Sequence, residues 1–194
     1  MSAQPASYYS QDYLKEGIER YSQGAYHAGN LQFARMIKKR NPRRVFEFCA
    51  AEGDLAEILL ASCQSIEWYK LTDFCPEAIT FAAQRLHIWP QASVELLDID
   101  RELHRVNWET IDTLISTASE HVVHDVEAIR RVPAGCTVAL RVPNMLWTSH
   151  LRAFGSYADI LSRYGALLTF RELRVQPLTS DGRIRKYMFT ATKK

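Results

Sequence analysis

The chain has 194 residues, 47% of them hydrophobic and 24% charged, and a formal net charge of +2. That length fits one domain with a substantial apolar core, in proportions ordinary for a soluble globular protein. So small a net charge argues against nucleic acid as the main partner, and the local basic run of Lys38, Lys39, Arg40, Arg43 and Arg44 reads as a solvated helix end and linker. No apolar run approaches the roughly 20 residues that span a bilayer, so no membrane partner is expected. Residues 1–13 lack the apolar core of a signal peptide. The four cysteines, Cys49, Cys63, Cys75 and Cys136, form no CxxC pair and sit in or beside apolar runs. A reducing, cytoplasmic location is expected.

In chain order, residues 1–6 read as a loose leader. Over residues 7–23, Tyr9, Tyr13, Leu14, Ile18 and Tyr21 recur at helical spacing until Gly24 breaks the pattern. A second helix is predicted over 29–40, with Leu31, Ala34, Met36 and Ile37 mostly on one side, and Asn41-Pro42 ends it. The rhythm then changes to alternating strands and helices: strand 45–48, helix 54–62, strand 67–72, helix 76–86, strand 94–97, strand 111–116, helix 122–131 and strand 137–142. Pro76 and Glu77 suit the first turn of their helix. After a helix over 157–164, strands 167–176 and 184–192 flank Asp181-Gly182, a strong hairpin signal. There is no internal repeat. The expected fold is α/β: a doubly wound, Rossmann-like seven-stranded sheet, mostly parallel, with a terminal antiparallel hairpin. Residues 1–24 are expected to form a helical cap on one globular domain, 25–194.

In such sheets a ligand lies beyond the carboxyl ends of the strands, near the switch point beside the first strand. Here that end reads Glu47-Phe48-Cys49-Ala50-Ala51-Glu52-Gly53-Asp54, with small residues that let a ligand approach the backbone. The helix after it offers free N–H groups. Asp73, ending the second strand, stands where an acid accepts hydrogen bonds from both ribose hydroxyls. Asp98, ending the third, is placed to accept from an adenine amino group. Together these point to an adenosine-bearing cofactor.

The run from Val45 to Leu55 (VFEFCAAEGDL) resembles the first motif, V-L-E-L-G-C-G-x-G-x-L, of the class I S-adenosylmethionine-dependent methyltransferases. Thr72 to Ile79 (TDFCPEAI) resembles their second motif, Leu97-Asp98 their third acidic position, and the stretch 112–125, with Glu120-His121, their fourth strand and its end. Val132-Pro133-Ala134-Gly135 resembles the turn before the fifth strand, and the terminal hairpin matches as well. The resemblance runs in order from about Ala25 to the C-terminus, and the order is its specific part. It implies S-adenosylmethionine as cofactor, with contacts from Glu47, Cys49, Ala51, Gly53, Asp73, Phe74, Asp98 and Ile99. Two of the family's three glycines are replaced, by Cys49 and Ala51. If the first position has positive φ, cysteine there carries about 1–3 kcal/mol of strain.

On that resemblance His121 is the candidate general base for an acceptor that must lose a proton, with Glu120 assisting. His121 and His124, at HxxH spacing, would share a helical face with Glu120 or Asp125 near them, but the donor set is thin and no metal is expected. Substrate contacts are expected from Tyr9, Tyr13, Tyr26 and His27 near the N-terminus, and from Trp147, His150 and Arg152 after the fifth strand. The expected substrate is a small molecule, methylated at O or N; the alternative is a non-catalytic binding or assembly relative. An NAD-dependent oxidoreductase is the weaker third reading, because the turn lacks G-x-G-x-x-G. The sequence does not indicate an oligomeric state.

Overall fold

A computed structural model describes residues 4–16, 24–146 and 149–194, with 12–16 by backbone alone. The chain begins with α1 (Ala6–Glu16) and α2 (Gly24–Lys38), then alternates β1 (Arg44–Phe48), α3 (Asp54–Ser62), β2 (Trp68–Asp73), α4 (Pro76–Leu86) and β3 (Ala92–Leu96). A short α5 (Ile99–Glu102) leads to β4 (Thr113–Ser116), α6 (Asp125–Arg131), β5 (Thr137–Pro143), α7 (Tyr157–Tyr164), β6 (Leu168–Pro177) and β7 (Arg185–Lys193). One sheet of seven strands results, in the order β3-β2-β1-β4-β5-β7-β6. Its first five strands are mutually parallel, and β7 runs antiparallel between β5 and β6.

The alternation of side chains along β1 sends Val45 and Glu47 to one face and Phe46 and Phe48 to the other, and all four are buried. The first face packs against α2 and α3 through Phe33, Ile37, Leu55 and Leu59. The second packs against α6 and α7 through Ala128, Ile129, Ile160 and Tyr164. A central strand covered on both faces is the reason β1 and β5 read as nearly continuous apolar runs. The hairpin forms where Asp-Gly signalled it: Leu178 N–H donates to Ile184 O, Gly182 has φ 67°, and a bulge shifts the β6 register between Phe170 and Glu172. All four cysteines are free. Among the described residues no helix is long and apolar enough to cross a membrane.

Two boundaries differ from expectation for reasons that bear on function. Helix α2 starts at Gly24, not near 29, because its first inward positions are Tyr26, His27 and Asn30 rather than apolar residues. Helix α6 starts at Asp125, not 122, so His121 opens no helix and the HxxH pair does not share a helical face. The carboxylate of Asp100 instead accepts the Val123 and His124 N–H groups at 3.0 and 2.8 Å and holds that segment as a connecting turn.

Candidate active site at the ends of β1, β2 and β4

The switch point falls between β1 and β4, since the chain leaves β1 toward β2 on one side and reaches β4 on the other. At the end of β1 the backbone is left-handed at Cys49 (φ 52°), Ala51 (φ 50°) and Gly53 (φ 79°). These are the three glycine positions of the first motif. A non-glycine residue held there costs about 1–2 kcal/mol. At Gly53 a side chain would also meet space already taken, as a Cβ would lie 3.1 Å from Leu71 Cδ1.

Asp73 ties this turn to the next one. Its Oδ2 accepts from Ala51 N–H at 2.9 Å and its Oδ1 from Cys75 N–H at 3.0 Å. The carboxyl is buried, and burial pushes its pKa up against the pull of those N–H groups. Asp98 caps α5 by accepting from Asp100 N–H at 3.0 Å. Cys49 lies among carboxylates: burial first, then Asp73, Asp100, Glu120 and Asp98, push its thiol well above its usual pKa.

Beneath the turn runs a buried polar chain. Asp54, the first residue of α3, takes Asn30 Nδ2–H at 2.7 Å and faces His27 Nδ1 at 3.0 Å. Asn30 Oδ1 accepts from Arg141 Nη1 of β5 at 2.7 Å. Glu47 accepts from the Tyr69 hydroxyl at 2.6 Å, and burial pushes its carboxyl up to about 8.

On the β4 side a short 3-10 turn, Ser119–His121, presents Glu120 inward with no solvent exposure. Its Oε1 lies 3.5 Å from Lys186 Nζ of β7, 3.8 Å from His150 Nε2 and 4.0 Å from His121 Nε2. Burial would raise Glu120, but Lys186, His121 and His150 outweigh it and hold the carboxyl below its usual range. Lys186 and His150 are both lowered, chiefly by burial. His121 Nδ1 stands 2.9 Å from Ser149 O and 2.9 Å from the Tyr9 hydroxyl of α1. The Tyr9 ring meets Phe74 edge-on, 5.2 Å between centroids, so α1 closes over the ends of β2 and β4. Burial, then Cys49 and other nearby ionisable groups, raise the Tyr9 hydroxyl above its ordinary pKa.

Solved structures share this fold over the whole chain. The N-methyltransferase NodS from Bradyrhizobium japonicum WM9, in complex with S-adenosyl-L-homocysteine, superposes with a TM-score of 0.77 over 98% of this chain and 99% of its own, at 14% identity. Magnesium protoporphyrin IX methyltransferase ChlM from Synechocystis PCC 6803, with bound S-adenosylmethionine, gives 0.68 over 100% of both chains at 13% identity. The [4+2]-cyclase SpnF gives 0.70 over 100% and 98% at 10% identity. The fold is that of the class I methyltransferases. No protein-family model and no curated protein sequence matches the chain. Identities this low carry the fold alone, and the cyclase shows that one fold serves more than one reaction.

Within this methyltransferase fold, most of the residues expected at the site fall into three groups, and Arg152 stands apart. Cys49, Ala51, Gly53, Asp73 and Phe74 gather at the ends of β1 and β2, while Ile99 is buried in the core beneath α5. Glu120, His121, His150 and Tyr9 meet one another. His27 and Tyr26 lie on α2, His27 against Asp54 and Tyr26 with its ring 5.8 Å from Lys186 Nζ. Arg152 is a clamp: its Nη atoms donate to Ser119 O and Val122 O at 2.8 and 2.7 Å, and Asp125 lies 3.3 Å away. The side chain of Tyr13 and all of Trp147 lie outside the described residues. Sequence reasoning missed Lys186, Arg141 and Asn30. The signal was present for Arg141, a cation inside a strand whose neighbours are buried, but not for Lys186, which follows the half-buried Arg185 at the start of β7.

Proposed function

We propose that the chain is an S-adenosylmethionine-dependent methyltransferase acting on a small molecule at oxygen or nitrogen. The observation that carries this reading is the turn after β1, left-handed at Cys49, Ala51 and Gly53 and bonded to Asp73. Two non-glycine residues hold left-handed backbone at these positions, braced by Asp73, and strain of this kind clusters at active sites and ligand clamps.

The cofactor would be held by the turn, with Asp73 accepting from its ribose hydroxyls and Asp98 from its adenine amino group. When bound it supplies an electrophilic methyl group on a sulfonium. It would supply in-line methyl transfer to an aligned acceptor and would leave as a neutral thioether. The chain's own residues then have two tasks, alignment and removal of the acceptor's proton. His121 is assigned the second. The Ser149 carbonyl can only accept, so the ring proton sits on Nδ1 and the Nε2 lone pair is left for the acceptor's proton. Glu120 stabilises the imidazolium that forms. Tyr9 and Phe74 exclude water from the donor.

Calorimetric titration with S-adenosylmethionine and S-adenosyl-L-homocysteine tests the reading. Micromolar binding of either is expected, and no heat at millimolar ligand would remove it. If both bind but no acceptor from a panel of amines, phenols and carboxylic acids is methylated, a non-methylating activity on this fold takes its place.

A further inference from the structure

The acceptor side of the site holds a group of atoms that base catalysis alone does not need. Glu120, His121 and His150 each offer one ligand atom, and these atoms lie within 4.8 Å of one another. They come from two segments, the turn after β4 and the connection after β5. Both rings are oriented in the same way. Nδ1 of His121 lies 2.9 Å from Ser149 O and Nδ1 of His150 lies 3.0 Å from Met145 O. A carbonyl only accepts, so both protons sit on Nδ1 and both Nε2 atoms carry lone pairs. Both Nε2 atoms face the same oxygen, Glu120 Oε1, at 4.0 and 3.8 Å. A backbone carbonyl fixing the far nitrogen is the usual way a protein orients a metal-ligating imidazole.

Glu120 supplies the second observation. It is fully buried, and neither carboxylate oxygen has a hydrogen-bond partner among the described residues. Its nearest counter-charge is Lys186 Nζ at 3.5 Å. A buried carboxylate with one ammonium at ion-pair distance and no hydrogen bond keeps lone pairs that a metal ion could take.

We propose that Glu120, His121 and His150 bind a divalent first-row transition-metal ion. Two imidazoles and one carboxylate are a donor set for zinc, iron, cobalt or nickel rather than for magnesium or calcium, which take oxygen ligands. Three protein ligands leave an open position for an acceptor atom. Two ligands each about 2.0–2.2 Å from one ion stand about 3–3.5 Å apart, so side chains now spread over up to 4.8 Å close by about 0.5–1.5 Å on binding. Lys186 is the internal competitor: its ammonium now balances the charge that the ion would balance, and it must turn aside toward Tyr26. With an ion bound, His121 is a ligand, and the acceptor is activated by ligation rather than by His121 as base. That consequence rests on the methyltransferase reading; the binding itself does not.

Cobalt(II), added to untagged protein without methyl donor or acceptor, is the probe. Visible d–d bands of a four- or five-coordinate ion are expected, displaced by stoichiometric zinc. His150→Ala and His121→Ala should each weaken cobalt binding by at least about 100-fold. His124→Ala, which alters a histidine outside the cluster, should leave the bands unchanged. Lys186→Met, which removes the competing charge, should tighten binding about tenfold or more. Far-ultraviolet circular dichroism checks that each variant is folded. Absence of bands at millimolar cobalt in both the natural chain and Lys186→Met overturns the proposal, as do bands that survive His150→Ala. Cofactor binding is read by calorimetry with no metal present, so either reading can fail while the other stands.

Discussion

Two glutamates are fully buried, one on each side of the switch point, and they are handled in opposite ways. Glu47, under the turn after β1, has the Tyr69 hydroxyl as its hydrogen-bond donor, and burial pushes its carboxyl up to about 8. Glu120, on the β4 side, is surrounded by Lys186, His121 and His150 and held ionised despite equal burial. The β1 side is shaped by main-chain geometry over a hydrogen-bonded polar chain. The β4 side is an assembly of charges whose burial only mutual pairing makes tolerable. Precision on the first side comes from φ angles, and on the second from electrostatics.

The largest effect should come from breaking the β4 side. Glu120→Gln leaves Lys186 buried without its counter-charge and should cost about 3–5 kcal/mol in urea unfolding. The double variant Glu120→Gln with Lys186→Met should recover most of that loss. If the single variant is neutral, the charges on this side do not depend on one another.

Glu47 tests the opposite case by pH. Its folded pKa of about 8 lies above the 4.5 of an ordinary glutamate. The folded state therefore binds the proton more tightly, and stability falls as pH rises between those two values. Glu47→Gln removes that dependence, so it should gain stability over the natural chain by up to about 3–4 kcal/mol on going from pH 5 to pH 8. Parallel stability curves for the two proteins would show Glu47 to be ionised like Glu120. The contrast would then vanish.

On the β1 side, and if the proposed function holds, Asp73→Ala should weaken S-adenosyl-L-homocysteine by about 1–3 kcal/mol in calorimetry, through lost hydrogen bonds and a loosened turn. Unchanged affinity would place the ribose elsewhere. The smallest effect belongs to the left-handed turn. Cys49→Gly and Ala51→Gly each relieve about 1–2 kcal/mol of strain, partly offset by the greater freedom of glycine in the unfolded chain. A net gain of about 0.5–1 kcal/mol each is expected in thermal or urea unfolding. A loss at either position would mean that its side chain packs usefully, most informatively for Cys49, which contacts the core beneath α6.

The two sides also differ in how far the sequence reveals them. Glu47, Cys49, Ala51, Gly53 and Asp73 lie within 27 residues of chain, and their arrangement follows from one strand-turn-helix-strand unit. The order of strands and helices and the Asp-Gly hairpin are likewise local signals, so the methyltransferase-like sheet was legible before any coordinates. The helix start at Gly24 was not, because polar residues facing the site interrupt the apolar stripe that marks a helix. Arg152 was legible only as a cation. That it clamps two carbonyls of the turn after β4, rather than reaching outward, depends on where the connection after β5 travels.

By itself, then, the sequence determined the alternation of elements and the gathering of Cys49, Ala51, Gly53 and Asp73 at the ends of two strands, since periodicity and turn chemistry act over a few residues; the left-handed angles and the Asp73 bond to Ala51 N–H came with the structure. Only the tertiary structure decided that Tyr9, Glu120, His121, His150 and Lys186 share one place. They come from the first helix, two connections and the last strand. Their meeting follows from the strand order and from the antiparallel register that sets Lys186 opposite Pro143. No local pattern encodes such a meeting, because the charges that pair there are far apart in the chain and gain from pairing only once water has been excluded around them.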